Sequence, residues 1–107
     1  MRDIKIATAQ FENKSGDKEY NLSVIDKLSK IAATDGADIV AFHECSVSGY
    51  SFARHLSEEE MLDLAELIPE GPSVKRLEEI AEKNDIVILA GLFEKDKEGK
   101  LHKAQVC

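Results

Sequence analysis

The sequence predicts an α/β domain in which helices alternate with short apolar strands. Two uninterrupted apolar runs, residues 39–42 and 86–90, are typical of strands buried on both faces of a mainly parallel sheet. The segments between these runs carry apolar residues at the spacing of one helix face. The predicted order is β-α-β-α-α-β-β, and 107 residues suffice for one domain at most.

The first half of the chain predicts a βαβ unit. Residues 3–10 mix apolar side chains with polar ones and indicate the first strand. A polar connection leads to a helix over residues 19–34, which is expected to end where Asp35 and Gly36 favour a turn. The strand over residues 38–43 follows closely, as expected when a helix connects two parallel strands.

The second half predicts two helices and a hairpin. Ser57 and the glutamate three residues later have the spacing of a capping box, so a helix is expected to begin there. The Pro-Glu-Gly-Pro segment at residues 69–72 breaks that helix, and Ser73 begins the next one. The second apolar run then leads through a charged turn at residues 95–100 to a returning strand over residues 101–106.

The charge balance argues against nucleic-acid and membrane partners. The chain has 14 basic and 21 acidic residues, which gives a net charge of −7. An acidic surface repels phosphate backbones and anionic lipids. The first residues lack the apolar segment of a signal peptide, and no apolar run is long enough to span a bilayer. A cytoplasmic protein is therefore expected.

The segment after the first apolar run is the best candidate for chemistry. Glu44 follows the strand almost at once, and Gly49, Tyr50 and Phe52 follow in the same loop. In open α/β sheets, ligands bind in the crevice beyond the carboxyl ends of the strands. Glu44 thus has the position of a general base, which is expected to be partly desolvated. The residues alone leave open that Glu44 is an ordinary surface glutamate, which is the more common case.

The cysteines and histidines do not form a second candidate site. Cys45 adjoins Glu44, but neighbouring side chains on an extended backbone point to opposite faces, so a small buried cysteine is favoured over a nucleophile. With Cys107 it makes neither a disulfide framework nor a zinc signature, and both are expected as thiols. His43 begins a His-Glu pair, but Val47 stands where the zinc motif has its second histidine. No metal site is predicted.

Three segments together resemble the nitrilase, or carbon–nitrogen hydrolase, superfamily. The strand, glutamate and Gly-Tyr loop of residues 39–52 are similar to its first catalytic segment. Residues 4–10 resemble the opening of the family, and residues 90–94 with the turn at Gly99 resemble a later segment. The resemblance implies the N-terminal half of a four-layer α-β-β-α sandwich, with residues 1–107 forming one partial domain.

The resemblance also implies a function. Family enzymes hydrolyse amides, nitriles or carbamoyl-amines through a Glu-Lys-Cys triad, without a cofactor. Glu44 would be the catalytic base, and Tyr50 and Phe52 would contact the small-molecule substrate, although packing is an equally good role for these aromatic residues. Neither Cys45 nor Cys107 lies in a segment that resembles the nucleophile region. The 107 residues alone are therefore expected to be inactive.

Several neighbouring residues receive expectations of their own. His43 stands where the family most often has proline, and it could line the pocket or, as is favoured, bond a backbone carbonyl. Glu94 resembles a recurring family glutamate and is expected to make a buried hydrogen bond. The lysines at positions 95, 97, 100 and 103 are expected to be solvated.

Two other interpretations and an assembly state remain open. The chain could be a non-catalytic, shortened relative that binds a small molecule or a partner chain. A flavodoxin-like regulator is disfavoured, because residues 11–13 are Phe-Glu-Asn where a glycine-rich phosphate loop would follow the first strand. Half of a sandwich should leave a sheet surface uncovered, so a homo-oligomer is expected.

Overall fold

The predicted element order is confirmed by the computed structural model, which describes residues 3–49 and 51–107. One short 3-10 helix is added in the loop after the second strand. The elements are β1 (Ile6–Ala9), α1 (Lys18–Thr34), β2 (Ile39–Phe42), the 3-10 helix (Ser51–His55), α2 (Glu58–Leu64), α3 (Pro72–Asn84), β3 (Val87–Lys95) and β4 (Leu101–Val106).

The four strands form one sheet in the order β1-β2-β3-β4. β1 pairs with β2 in parallel, and β2 pairs with β3 in parallel, so the predicted βαβ unit is confirmed. β3 is longer than the predicted strand over residues 86–90, because its second half forms an antiparallel ladder with β4 from Ala90 to Lys95. β3 therefore belongs to the parallel sheet in its first half and to an antiparallel hairpin with β4 in its second half.

The main core lies between one face of the sheet and the helices α1 and α3. Alternate strand residues point into it, namely Val40, Phe42, Ile88, Ala90 and Leu92. They meet Leu22 and Ile25 of α1 and Leu77 and Ile80 of α3. Burying a side chain of this size stabilises the fold by about 1.5–3 kcal/mol.

The expectation that the strands are buried on both faces is wrong for this chain. Burial alternates along β2 and along β3 from Val87 to Ala90, and Ile6 and Val87 on the second face are 59% and 45% exposed. The physical reason is that α1 and α3 pack on the same side of the sheet. The second face is covered only at its far end within the described residues, where Cys45, Ala65 and Phe93 form a small cluster.

Of the two helices of the second half, α2 begins as predicted but ends early, whereas α3 begins at Pro72, one residue before the predicted Ser73. The capping box is confirmed, because Ser57 Oγ accepts from Glu60 N–H and Glu60 Oε1 accepts from Ser57 N–H, both at 3.1 Å. α2 ends at Leu64, so Ala65 and Leu67 do not continue the helix. Glu66 instead pairs with β3, donating to Phe93 O at 3.0 Å and accepting from Lys95 N–H at 2.9 Å.

Glu66 also organises the start of α3. Its carboxylate is buried, and it accepts hydrogen bonds from Lys18 Nζ at 2.7 Å and from Ser73 N–H at 2.8 Å, as well as from Ser73 Oγ. The residue before α3 is Gly71, which has no side chain to cap the helix, so Glu66 takes that role from outside. The carboxylate of Glu66 thus ties α1 to α3, while the backbone of the same residue pairs with β3.

The ionisation of Glu66 follows from these contacts. Burial by itself would raise the pKa of this carboxyl, but the hydrogen bonds from Lys18 and Ser73 outweigh burial and hold the pKa below its ordinary value. A carboxyl whose pKa is lowered by folding stabilises the folded state above its unfolded pKa.

Gly91 allows the loop after β2 to lie directly on β3. A Cβ atom at Gly91 would lie 2.5 Å from the backbone nitrogen of Cys45 and 3.0 Å from Gln105 Oε1. Real Cβ atoms do not approach backbone so closely. Only glycine therefore fits at this point of β3, and the loop that carries Glu44 depends on it.

We expect Gly91→Ala to lower the free energy of unfolding by about 1–3 kcal/mol, the usual cost of overpacking. Urea unfolding followed by circular dichroism measures the change. Gly99→Asn is the control, because nothing lies within 4 Å of a Cβ there and asparagine tolerates the positive φ. Equal losses in the two variants would contradict the close approach at Gly91.

We expect Glu66→Gln to lower the free energy of unfolding at neutral pH by about 1.5–3 kcal/mol, the range for hydrogen bonds to a charged group. The difference from wild type should shrink as the pH falls through the lowered pKa of folded Glu66, because the carboxylate becomes protonated there. Urea unfolding at a series of pH values measures it. Glu79→Gln, which removes a surface pair with Arg76, should cost less than about 0.5 kcal/mol at every pH.

Candidate functional site

Glu44 lies just beyond the carboxyl end of β2 and contacts β4. Lys103 Nζ donates a hydrogen bond to Glu44 Oε1 at 2.6 Å, although β3 lies between the two strands in the sheet. The Glu44 side chain is 60% exposed and that of Lys103 is 48% exposed. The expectation of a partly desolvated carboxylate is therefore wrong for these 107 residues. Lys103 was expected to be solvated, and the structure shows that it also forms an ion pair with Glu44.

Backbone contacts to β3 hold the loop that carries Glu44. Val47 N–H donates to Gly91 O at 3.0 Å, and Gly91 N–H donates to Ser46 Oγ at 3.3 Å. Residues 45–49 are all buried. A loop held in this way keeps the Cα atom of Glu44 at a defined place over the sheet.

Two asparagines complete the support, Asn13 in the β1–α1 connection and Asn21 near the start of α1. Asn21 is fully buried, and its Nδ2 donates to Val47 O and to Lys14 O, each at 2.8 Å. Asn13 Nδ2 donates to Cys45 O at 3.3 Å. The sequence analysis did not identify Asn21, although a polar residue beside the apolar stripe of a predicted helix is a signal that could have found it.

Cys45 is the small buried thiol that the sequence predicts. Burial raises the pKa of this thiol, the charge of Glu44 raises it further, and the charge of Lys103 opposes both. The extended backbone that was expected to turn the Cys45 side chain away from Glu44 is not present, however, since Cys45 has a φ of 51°. Cys107 is also a free thiol and is exposed.

His43 lines a groove at the carboxyl ends of β1 and β2. The groove has a volume of about 470 Å³, and its other lining residues are Thr8, Ala9, Gln10, Ala41 and Phe42. His43 Nε2 lies 3.4 Å from Asn13 Nδ2, and Nδ1 has no hydrogen-bond partner within the described part of the chain. The hydrogen bond from His43 to a backbone carbonyl, which the sequence favoured, is thus not found within these residues. Of the two expected roles, His43 takes the one of lining a pocket. Burial lowers the pKa of His43, so the neutral imidazole is favoured.

The other residues implied by the resemblance have different outcomes. Phe52 packs against Gly16 and Gly49, since Cβ atoms built on them would lie 3.7 and 3.1 Å from its ring. This contact is the packing role that the sequence left open. Tyr50 lies outside the described residues. The side chain of Glu94 makes no hydrogen bond in residues 3–49 and 51–107, so the expected buried bond is not found there.

The described residues contain no group of three or more His, Cys, Asp and Glu side chains placed to hold a metal ion. Within the same residues, no helix combines the length and the apolar character needed to cross a membrane. The described groups that remain as candidates for chemistry are the Glu44 carboxylate and the Lys103 ammonium group that contacts it.

Comparison with known proteins identifies the family. Residues 5–107 match the family described as Carbon-nitrogen hydrolase. The "Nitrilase" of Pyrococcus abyssi is 33% identical over 93 residues, which cover 87% of this chain and 34% of that protein. "Omega-amidase NIT2" of Xenopus tropicalis is 38% identical over 102 residues, which cover 95% of this chain and 34% of that protein.

A solved structure gives the same result for the fold. Saccharomyces cerevisiae Nit3, a nitrilase-superfamily member, superposes with a TM-score of 0.78 at 25% identity, over 95% of this chain and 38% of that chain. The chain therefore spans about a third of the length of these relatives. The predicted α/β fold is that of the N-terminal part of nitrilase-fold proteins, and the chain belongs to the carbon–nitrogen hydrolase family.

Proposed function

We propose that this chain supplies the glutamate-bearing part of a thiol amidase that hydrolyses a non-peptide carbon–nitrogen bond. The observation that carries the proposal is the position of Glu44, on an anchored loop beyond the carboxyl end of a parallel strand. Relatives named as amidases support the reaction class. Since the chain spans about a third of those relatives, the activity belongs to a longer polypeptide or assembly.

In the proposed reaction Glu44 acts as the general base. Its carboxylate takes the proton of a cysteine thiol, and the thiolate attacks the carbon of the amide, nitrile or carbamoyl-amine. With an amide or carbamoyl-amine, a lysine stabilises the tetrahedral intermediate, the nitrogen takes the proton from Glu44 and leaves as ammonia or an amine, and water then releases the acyl group. With a nitrile, the attack gives a thioimidate, and ammonia leaves only after water has added to it. The lysine and the cysteine come from sequence outside these 107 residues.

The two cysteines of the chain are poor candidates for the nucleophile. Cys45 is buried, and burial raises the pKa of its thiol, whereas a nucleophile needs an accessible thiolate. Cys107 lies at the other end of the sheet, beside Val74 and Val87 near the start of β3. This placement supports a nucleophile supplied from elsewhere.

The proposed substrate is a small molecule, and Tyr50 and Phe52 are its proposed contacts. The net charge of −7 favours neither nucleic acid nor an anionic membrane as a partner. Two free cysteines agree with a cytoplasmic location, which is part of the proposal. The names of the relatives, which include a nitrilase, two kinds of amidase and a citrullinase, support the carbon–nitrogen bond as the shared target.

We expect Glu44→Gln to lower kcat for amide hydrolysis at least about 10²-fold, the lower end of what general-base catalysis contributes. The measurement is ammonia release from small amides by the longest polypeptide that contains these residues. Glu98→Gln is the control, since Glu98 lies in the hairpin turn and pairs only loosely with Lys100 at 3.8 Å. The 107-residue chain alone should release no ammonia. Activity of that chain, or full activity of Glu44→Gln, would contradict the proposal.

We also propose that the isolated chain forms a homo-oligomer through the uncovered sheet face. Ile4, Ile6 and Val87 are exposed there, whereas the opposite face is filled by α1 and α3. An apolar surface formed by neighbouring strands is favourable to cover, because burial removes it from water.

Sedimentation velocity tests the homo-oligomer. Wild type should sediment above the monomer mass. The double variant Ile6→Lys and Val87→Lys should sediment as a monomer, because burying two unpaired charges in the interface costs much free energy. The control is Ile31→Lys, which places the same charge at a residue of similar exposure (51%) on α1 and should leave the oligomer intact. A monomeric wild type would overturn this proposal without affecting the role of Glu44.

A further inference from the structure

We propose that Lys103 is a positioning residue for Glu44, holding the carboxylate in one orientation above β3 so that its second oxygen can accept a proton. The inference rests on the proposed role of Glu44 as a base. It assigns a second residue of this chain to the same site, although the proposed triad takes its lysine from sequence outside the chain.

The position of Lys103 is well defined by the sheet. It lies within β4, where it pairs with Phe93 in the antiparallel ladder, and Phe93 is buried in the cluster with Cys45. Paired residues in a ladder point to the same face of the sheet. The ammonium group therefore rises from a strand and not from a loop, on the side where the Glu44 loop crosses β3.

The contact between the two side chains uses one carboxylate oxygen. Lys103 Nζ donates to Oε1 at 2.6 Å, and no hydrogen bond to Oε2 is found within residues 3–49 and 51–107. A carboxylate has acceptor sites on both oxygens. Engaging Oε1 fixes the direction of the group and leaves Oε2 with its acceptor sites, which a base requires.

The neighbouring lysines of the hairpin have other contacts. Lys95 Nζ donates to Leu62 O at 3.2 Å, and Lys100 pairs with Glu98 in the turn. The thiol of Cys45, beside this pair, is influenced by both charges in opposite directions, as expected if both groups face the same place. Of the lysines that the structure describes on this hairpin, Lys103 is the one placed to direct Glu44.

The alternative is that Lys103 and Glu44 form an ordinary surface ion pair with no positioning role. Because both side chains are exposed, stability measurements and orientation measurements can separate the two roles. Pairs this exposed contribute little to folding stability. Replacing Lys103 should therefore leave the thermal midpoint almost unchanged, while the orientation of the Glu44 side chain should become variable.

The first experiment tests the contact in solution by carbodiimide coupling of the 107-residue chain. The carbodiimide activates the Glu44 carboxyl and leaves as a urea carrying one carboxyl oxygen, and the Lys103 amine takes its place in an isopeptide bond. Peptide mapping should find this bond in wild type and in Lys100→Met. It should be absent in Lys103→Met and in Glu44→Gln. Its absence in folded wild type would overturn the proposal.

The second experiment tests positioning by NMR couplings of the Glu44 side chain. Wild type should show one dominant rotamer, Lys103→Met an average of several, and Lys103→Arg a return toward wild type. Lys100→Met should match wild type. Couplings that stay the same in Lys103→Met would overturn the proposal.

Both measurements report contact and orientation and not turnover, so they stand even if Glu44 proves not to be a base. In an active longer polypeptide, Lys103→Met should lower kcat about tenfold with little change in KM, and Lys103→Arg should recover most of it, because small misplacements of a reacting group slow the chemical step. Full activity of Lys103→Met together with an inactive Glu44→Gln would overturn the role of Lys103 alone.

Discussion

The close approach of two backbone segments at Gly91 is the constraint on which the candidate site depends. Because β3 has no side chain there, the loop after β2 lies directly on the strand, with the Cys45 nitrogen only 2.5 Å from the place a Cβ atom would occupy. This crossing carries Glu44 over β3, so that its carboxylate meets Lys103 of β4. Two residues that are 59 positions apart in sequence become partners because one residue between them is a glycine.

Polar contacts, more than apolar packing, keep this loop in place. Ser46 and Val47 bond to both backbone groups of Gly91, and buried Asn21 bonds to Val47 and to the β1–α1 connection. Each such bond contributes about 0.5–1.5 kcal/mol, but leaving a buried partner unsatisfied costs more. A network of this kind therefore favours one loop conformation strongly, which suits the role proposed for Glu44.

The two faces of the sheet differ in how far the described residues cover them. On one face, α1 and α3 pack apolar side chains against β2 and β3. On the other face, a small cluster around Phe93 covers one end, and exposed residues such as Ile6 and Val87 remain at the other. Glu44 and Lys103 lie on this second side. The Glu44 carboxylate thus lies exposed on the less covered face.

Much of the fold was predictable because its signals are local. The helical spacing in α1, the capping box of Ser57 and Glu60, and the apolar runs of β2 and β3 each depend on residues within a few positions of one another. The position of Glu44 beyond a strand was predictable for the same reason. The hairpin was only partly predictable, since the length of β3 is set by its pairing with β4.

The sequence by itself determined the order of the elements, the parallel pairing of the first strands and the loop that carries Glu44. Only the tertiary structure decided that Glu44 meets Lys103, that Glu66 caps α3 from another segment, and that one sheet face stays uncovered. The physical reason is the distance along the chain over which each kind of interaction acts. Periodicity and capping act along the chain, whereas ion pairs and burial depend on which distant segments meet in space.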